Sequence, residues 1–302
     1  MTAGWTSRKR VEAALNHQEA DRVPLDINIT LNAYIALRDH LGLPAEKDAA
    51  ADRFFEVRPK LDLLEALGVD ITYVKLRGSK SWSPPPPLED GSVLDAWGIG
   101  RKLIQLPGGS YLNEVSHCPL EGLDPAEIDL NEYPWPDPDD PGFTQGLEEE
   151  ARRLHEETGL ALMGRFGGPV MEMATYLRGF EGWLMDLILY PDFSRELLDR
   201  IADIQIILDE AGIKAAGRYL SVFKLSGEDL GTQTNTLFSY GVWEEIIYPV
   251  LSRRWQAARK ALDKYGGSHV KLMLHSDGAF RPFIPDMIKA GVDVLDPIQK
   301  VC

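Results

Sequence analysis

The sequence predicts an α/β fold of the (β/α)8 TIM-barrel class, incomplete at its C-terminal end, with six of the eight strands present. Three observations predict it. Short apolar runs alternate with helical patterns over most of the 302 residues. The connections between them are short, as parallel βαβ units require. Polar residues appear abruptly where apolar runs end, which is where such folds carry their chemistry. With 44% hydrophobic residues there is material for one large core, read as a single domain over 1–302 with a hairpin-containing excursion at about 80–140.

The first helix is expected over 7–17, where Val11, Ala14 and Leu15 share a face behind a Thr6 or Ser7 cap. Strand one follows at 25–29, in which Leu25, Ile27 and Ile29 alternate with Asp26 and Asn28. Helices over 33–41 and 54–67 lead to strand two at 69–74, with Gly68 suited to end the second helix. The rhythm then breaks at the prolines of 84–87, and segments 93–106 and 111–115 flank Pro107-Gly108-Gly109, a hairpin signal. After the proline-rich stretch 133–141 come a helix over 145–158, strand three at 160–165 and helices over 172–189 and 191–211. Strand four at 219–224, a helix over 242–265, strand five at 270–274, a helix over 282–290 and strand six at 292–295 complete the pattern. Two further βα units, roughly 60 residues at ~30 per unit, are expected past the end. Without them strand six leaves an open edge of unpaired backbone groups.

Composition excludes several classes. Forty-seven acidic residues against 32 basic ones give a net charge of −15, which repels nucleic-acid phosphates. The basic runs at 7–10 and 253–264 read as exposed helix faces rather than a binding stripe. No apolar run is long enough for a membrane span, and none follows the basic N-terminus as a secretory leader would, so a cytoplasmic protein is expected. Two cysteines, Cys118 and Cys302, rule out a disulfide framework.

The polar residues at strand ends are the candidates for function: Asp26, Asn28, Lys75, Arg77, Arg165, Lys224, Glu228, Asp229, His275, Asp277, Asp296 and Gln299. The sharpest cluster is His275-Ser276-Asp277-Gly278, where a buried run hands directly to an imidazole and a carboxylate. It reads as a general acid/base or a metal ligand, against a histidine merely hydrogen-bonded at the rim. In the second cluster, adjacent Glu228 and Asp229 repel when ionised, which raises one pKa and suits a proton donor; a solvated or helix-capping pair is the plainer reading. Arg165 offers an anion partner or a rim salt bridge.

These motifs resemble the uroporphyrinogen decarboxylase superfamily, which also contains cobalamin-dependent methyltransferases. The matching pieces are Ser7-Arg8-Lys9-Arg10-Val11 through Asp21-Arg22-Val23-Pro24, Leu177-Arg178-Gly179-Phe180-Glu181, Glu228-Asp229-Leu230-Gly231-Thr232-Gln233 and His275-Ser276-Asp277-Gly278. Gly291-Val292-Asp293-Val294-Leu295-Asp296-Pro297-Ile298-Gln299 extends the match. The resemblance implies a (β/α)8 barrel. True decarboxylases carry two arginines after strand one for a substrate bearing eight carboxylates, and residues 28–34 here contain none. They also carry an aspartate after strand two, where this chain has Leu76 and Arg77. The methyltransferase branch is therefore the nearer one.

In that branch the resemblance implies zinc held by His-x-Cys and a later cysteine, and a corrinoid carried on a separate protein. Here Asp277 stands where the cysteine would be, so His275 and Asp277 form half a metal site, with the remaining ligands at Cys302 or beyond it. The leading expectation is corrinoid-linked methyl transfer or demethylation of a small methylated substrate. In it His275, Asp277, Glu228 and Asp229 are catalytic, and Asp26, Asn28, Lys75, Arg77, Arg165, Lys224 and Gln299 bind substrate. The alternatives are porphyrinogen decarboxylation without a cofactor, and a non-catalytic barrel that docks a corrinoid protein. Expected partners are the substrate, a corrinoid protein and a second copy of the chain in a homodimer.

Overall fold

The computed structural model describes residues 4–46, 56–106 and 111–299. Helix α1 (Ser7–Leu15) starts where Thr6 accepts a hydrogen bond from the Lys9 amide. Strand β1 (Ile29–Thr30), helix α2 (Leu31–His40), the antiparallel partner β2 (Glu56–Val57) and helix α3 (Leu61–Leu67) form a flank packed around Ile29, Tyr34 and Leu63. Helix α3 starts later than the pattern over 54–67 suggested, because Pro59 disfavours helix at the residue before it; positions 54 and 55 lie outside the described residues. It ends at Gly68, whose φ of 65° is the left-handed cap glycine supplies.

Strand β3 (Ile71–Lys75) then enters the main sheet. The excursion is an antiparallel sheet of β4 (Val93–Leu94), β5 (Gly100–Gln105) and β6 (Tyr111–His117), and the expected hairpin turn at 107–109 lies outside the described residues. The rest alternates: α4 (Leu147–Glu157), β7 (Ala161–Arg165), α5 (Met171–Arg178), α6 (Phe180–Leu189), α7 (Pro191–Ala216) and β8 (Val222–Gly227). A short α8 (Tyr240–Val242), α9 (Tyr248–Lys264), β9 (Lys271–His275), α10 (Ile284–Lys289) and β10 (Val294–Asp296) follow. The helix expected over 172–189 is two helices, broken at Gly179, where φ is 75°.

Strands β3, β7, β8, β9 and β10 form one parallel sheet in strict chain order. Alternate residues serve opposite faces. Val74, Leu162, Phe223, Leu272 and Leu274 point into the large core under the helices, whereas Tyr73, Met163, Val222 and Met273 gather on the other face with Leu15 of α1. Helix α1 thereby lies across the N-terminal end of the sheet, where the Arg8 amide donates to Gly159 O (2.6 Å).

One expectation is corrected. Among the described residues the parallel sheet has five strands, not six: residues 25–28 join no sheet, and Ile29 is buried in the α2/α3 flank instead. An alternating apolar pattern reports one covered face, not which element covers it. The sheet is open, in line with the open edge expected of an incomplete barrel, with β3 and β10 as its edges among the described residues.

Candidate active site

Three loops meet at the C-terminal end of the sheet, and their backbones lock together. The Glu228 amide donates to His275 O (2.9 Å), the Ala279 amide to Thr232 O (2.8 Å) and the Ser276 amide to Asp296 O (3.0 Å). Gly278 makes this possible: its φ is 81°, and a Cβ there would lie 2.3 Å from Gly231 O. Strand β8 ends in a bulge opposite β9, where Ser226 adopts a φ of 72° and re-aims the residues after it.

His275 sits at the centre. Its Nδ1 is 3.3 Å from Asp296 Oδ2, and that oxygen also accepts from Lys224 Nζ at 2.8 Å. On the other side of the ring, Nε2 is 3.8 Å from both Asp229 Oδ1 and Asp277 Oδ2. The ligand atoms of Asp229, His275 and Asp277 all lie within 4.8 Å of one another. The Asp296 hydrogen bond raises the imidazole above its ordinary pKa against the opposing effect of burial. The hydrogen bond from His275 and the contact with Lys224 hold the Asp296 carboxyl well below the usual carboxylate range.

The other expected site residues are placed as follows. Glu228 turns away from its neighbour Asp229 and is fully buried, accepting from the Val170 and Met171 amides, both at 2.7 Å. Burial pushes its carboxyl up to about 8; Arg254 lies 3.8 Å away and also bonds Asp209 (2.8 Å). Glu228 thus clamps the start of α5, while Asp229 faces His275. Lys224 is buried against Asp296. Gln299 accepts from the Gly278 amide (2.8 Å). Asp26 accepts from the Tyr73 hydroxyl (2.6 Å), and Asn28 is exposed. Lys75 and Arg165 are register partners at the ends of β3 and β7, and Arg77 pairs with Glu150. Cys302, considered as a ligand, lies outside the described residues.

The uroporphyrinogen decarboxylase (URO-D) family model matches residues 123–299, more than half of the chain. The chain belongs to this family. A solved methyltransferase from Methanosarcina mazei shares the fold with a TM-score of 0.60, covering 97% of this chain and 76% of that one at 17% identity. The endo-1,4-beta-xylanase XylE of Penicillium canescens matches at a TM-score of 0.33 and 13% identity, over 51% of this chain and 45% of that one. No curated protein matches the chain.

This URO-D family member has a second feature at the same sheet end, of which sequence reasoning named Lys75, Arg77 and Arg165 but not Arg101 or the aromatic wall. A cavity of about 720 Å³ lies between the ends of β3 and β7 and the three-stranded excursion. Lys75, Arg77 and Arg165 line it, as do Trp82, Trp97 and Arg101 from the excursion. The excursion is therefore a roof over the sheet end rather than a departure from the fold. The signal was faint: a Trp and an Arg four residues apart at the start of an antiparallel pair.

Proposed function

We propose that the protein is a metal-dependent enzyme of methyl transfer or demethylation that works with a separate corrinoid protein, as the methyltransferase branch of its family does. The observation that carries this reading is the convergence of His275 Nε2, Asp229 Oδ1 and Asp277 Oδ2 at the end of the sheet. One imidazole and two carboxylates with a fourth side open suit a catalytic zinc-class ion. Zinc ligands at about 2.0–2.1 Å stand roughly 3.4 Å apart in a tetrahedron, so the two carboxylates, each 3.8 Å from Nε2 and within 4.8 Å of each other, must draw together around a bound ion. Held there, the ion would supply the Lewis acidity that keeps an acceptor such as a thiol in its nucleophilic, anionic form.

The chain's own groups prepare that site. Asp296, kept ionised by Lys224, accepts from Nδ1 and orients the ring, which leaves the Nε2 lone pair for a cation. The Asp277 amide donates to Asp229 Oδ1 (3.0 Å) and fixes that carboxylate beside the ring. The locked loops hold all three donors on short, hydrogen-bonded backbone. The missing arginines at 28–34 weigh against an octa-anionic porphyrinogen as substrate.

The test is metal analysis of the chain after loading with zinc and extensive dialysis. Stoichiometric zinc that is lost in His275→Ala, with circular dichroism unchanged in both proteins, is the expected result. A folded wild-type protein that retains no metal overturns the proposal.

A further inference from the structure

We infer that the cavity under the excursion binds an aromatic carboxylate, with its acid group on the cations and its ring against the tryptophans. The assignment of this ligand as the enzyme's substrate rests on the reading above; its binding does not.

Charge is the first argument. On a chain of net charge −15, four cations gather in one cavity, Lys75, Arg77, Arg101 and Arg165. Among the described lining residues the acidic side chain is Asp95, whose Oδ1 accepts from the Trp97 and Ile99 amides at 2.9 and 3.1 Å, so four basic side chains face one carboxylate. Glu150, which pairs with Arg77, is shared with Arg58 at 2.7 Å, so one carboxylate serves two guanidiniums. A cavity lined by four basic side chains and one acidic one concentrates an anion, and guanidinium forks fit a carboxylate in two parallel hydrogen bonds.

Shape and lining chemistry are the second. About 720 Å³ is the size of a small-molecule site, not of a macromolecular groove. Trp82 and Trp97 offer flat apolar faces, and Arg101 is held in place over the Tyr176 ring, 5.0 Å from its centroid. A planar ring bearing an acid group uses both kinds of wall, whereas inorganic phosphate uses the cations alone.

Position is the third. Ser226 lines the cavity, and the next residue, Gly227, borders the imidazole: a methyl group there would lie 2.9 Å from His275 Cδ2 and 3.4 Å from Glu172 Oε1. One buried stretch of backbone at the end of β8 thus separates the cavity lining from the imidazole, so the two features are immediate neighbours across a single residue.

Calorimetric titration of metal-stripped protein with benzoate, benzamide and inorganic phosphate tests this. Benzoate is expected to bind at least tenfold more tightly than either of the others. Arg101→Gln should weaken benzoate binding at least tenfold, Arg101→Lys should weaken it less, and the exposed-surface control Lys260→Gln should not change it. Equal binding of benzamide, tighter binding of phosphate, or unchanged affinity in a folded Arg101→Gln protein overturns the inference. Because metal is absent throughout, the outcomes separate. Zinc retention without benzoate binding sinks this inference alone, and benzoate binding without zinc retention sinks the methyl-transfer reading and favours chemistry on a carboxylic acid.

Discussion

The two ends of the parallel sheet each carry a charge cluster that includes aspartates, and they differ in how completely those charges are satisfied. At the N-terminal end Asp70 is fully buried and accepts from Arg10 Nη1 (2.6 Å), Arg22 Nη1 (2.7 Å) and the Leu25 amide (2.8 Å). At the C-terminal end the Asp229 and Asp277 side chains are 44% and 48% exposed, and each stands 3.8 Å from His275, beyond hydrogen-bonding distance. A saturated network has nothing left to offer a ligand, so it serves the fold. Converging donors left short of partners have capacity to spare, and such sites are where function is found.

The largest expected effect breaks the open end. His275→Ala should lower the proposed methyl transfer by about a thousandfold, within the usual range for a positioned acid/base or ligand side chain. Its thermal unfolding should stay close to wild type, because the side chain is 29% exposed and Lys224 keeps its pairing with Asp296 when the ring is removed. A variant that loses activity only in proportion to lost folded protein would mean that both ends serve stability alone.

Next comes the closed end. Asp70→Asn should cost about 2 kcal/mol, since it removes the buried carboxylate that Arg10 and Arg22 share, although Arg10 keeps Asp21 and Arg22 is 39% exposed. Burial works against the Asp70 charge, but hydrogen bonds from Arg22, the Leu25 amide, Ser7 and Arg10 outweigh it and hold the carboxyl below its usual range. The folded pKa being depressed, this stability is present above the unfolded value of about 3.9 and is lost as pH falls through the folded one. Denaturant titrations from pH 6 down to pH 3 should show the wild type converging on the variant. Parallel curves would remove Asp70 from the acid limb.

The sequence showed this contrast only in part. His275, Asp277 and Asp229 were legible because each follows an apolar run that ends abruptly, and a parallel sheet delivers such ends to one place. The partnership of Lys224 with Asp296 was not, since it depends on which strands are neighbours and in what register. Strand one was misplaced because residues 25–29 carry the alternation of any half-covered extended segment. The role of Arg101 was hidden because docking of the excursion on the sheet end is a long-range contact that leaves no periodic trace.

The smallest effect separates two adjacent carboxylates. Glu228 and Asp229 follow the bulge at Ser226, and from there one turns into the core and the other to the open end. Both Glu228 oxygens accept backbone amides, so Glu228→Gln places an NH2 group against one of those donors and leaves it unsatisfied. A buried donor without an acceptor costs about 1–3 kcal/mol. Asp229→Asn removes a charge at a 44% exposed side chain and should change stability by no more than about 0.5 kcal/mol, the ordinary range for a surface substitution. It should nevertheless weaken zinc retention, because an amide is a poorer zinc ligand than a carboxylate. Chemical denaturation and metal analysis of the two variants therefore give opposite rankings if the division between clamp and site is right. If Asp229→Asn proves the more destabilising and Glu228→Gln the one that releases metal, their roles are reversed.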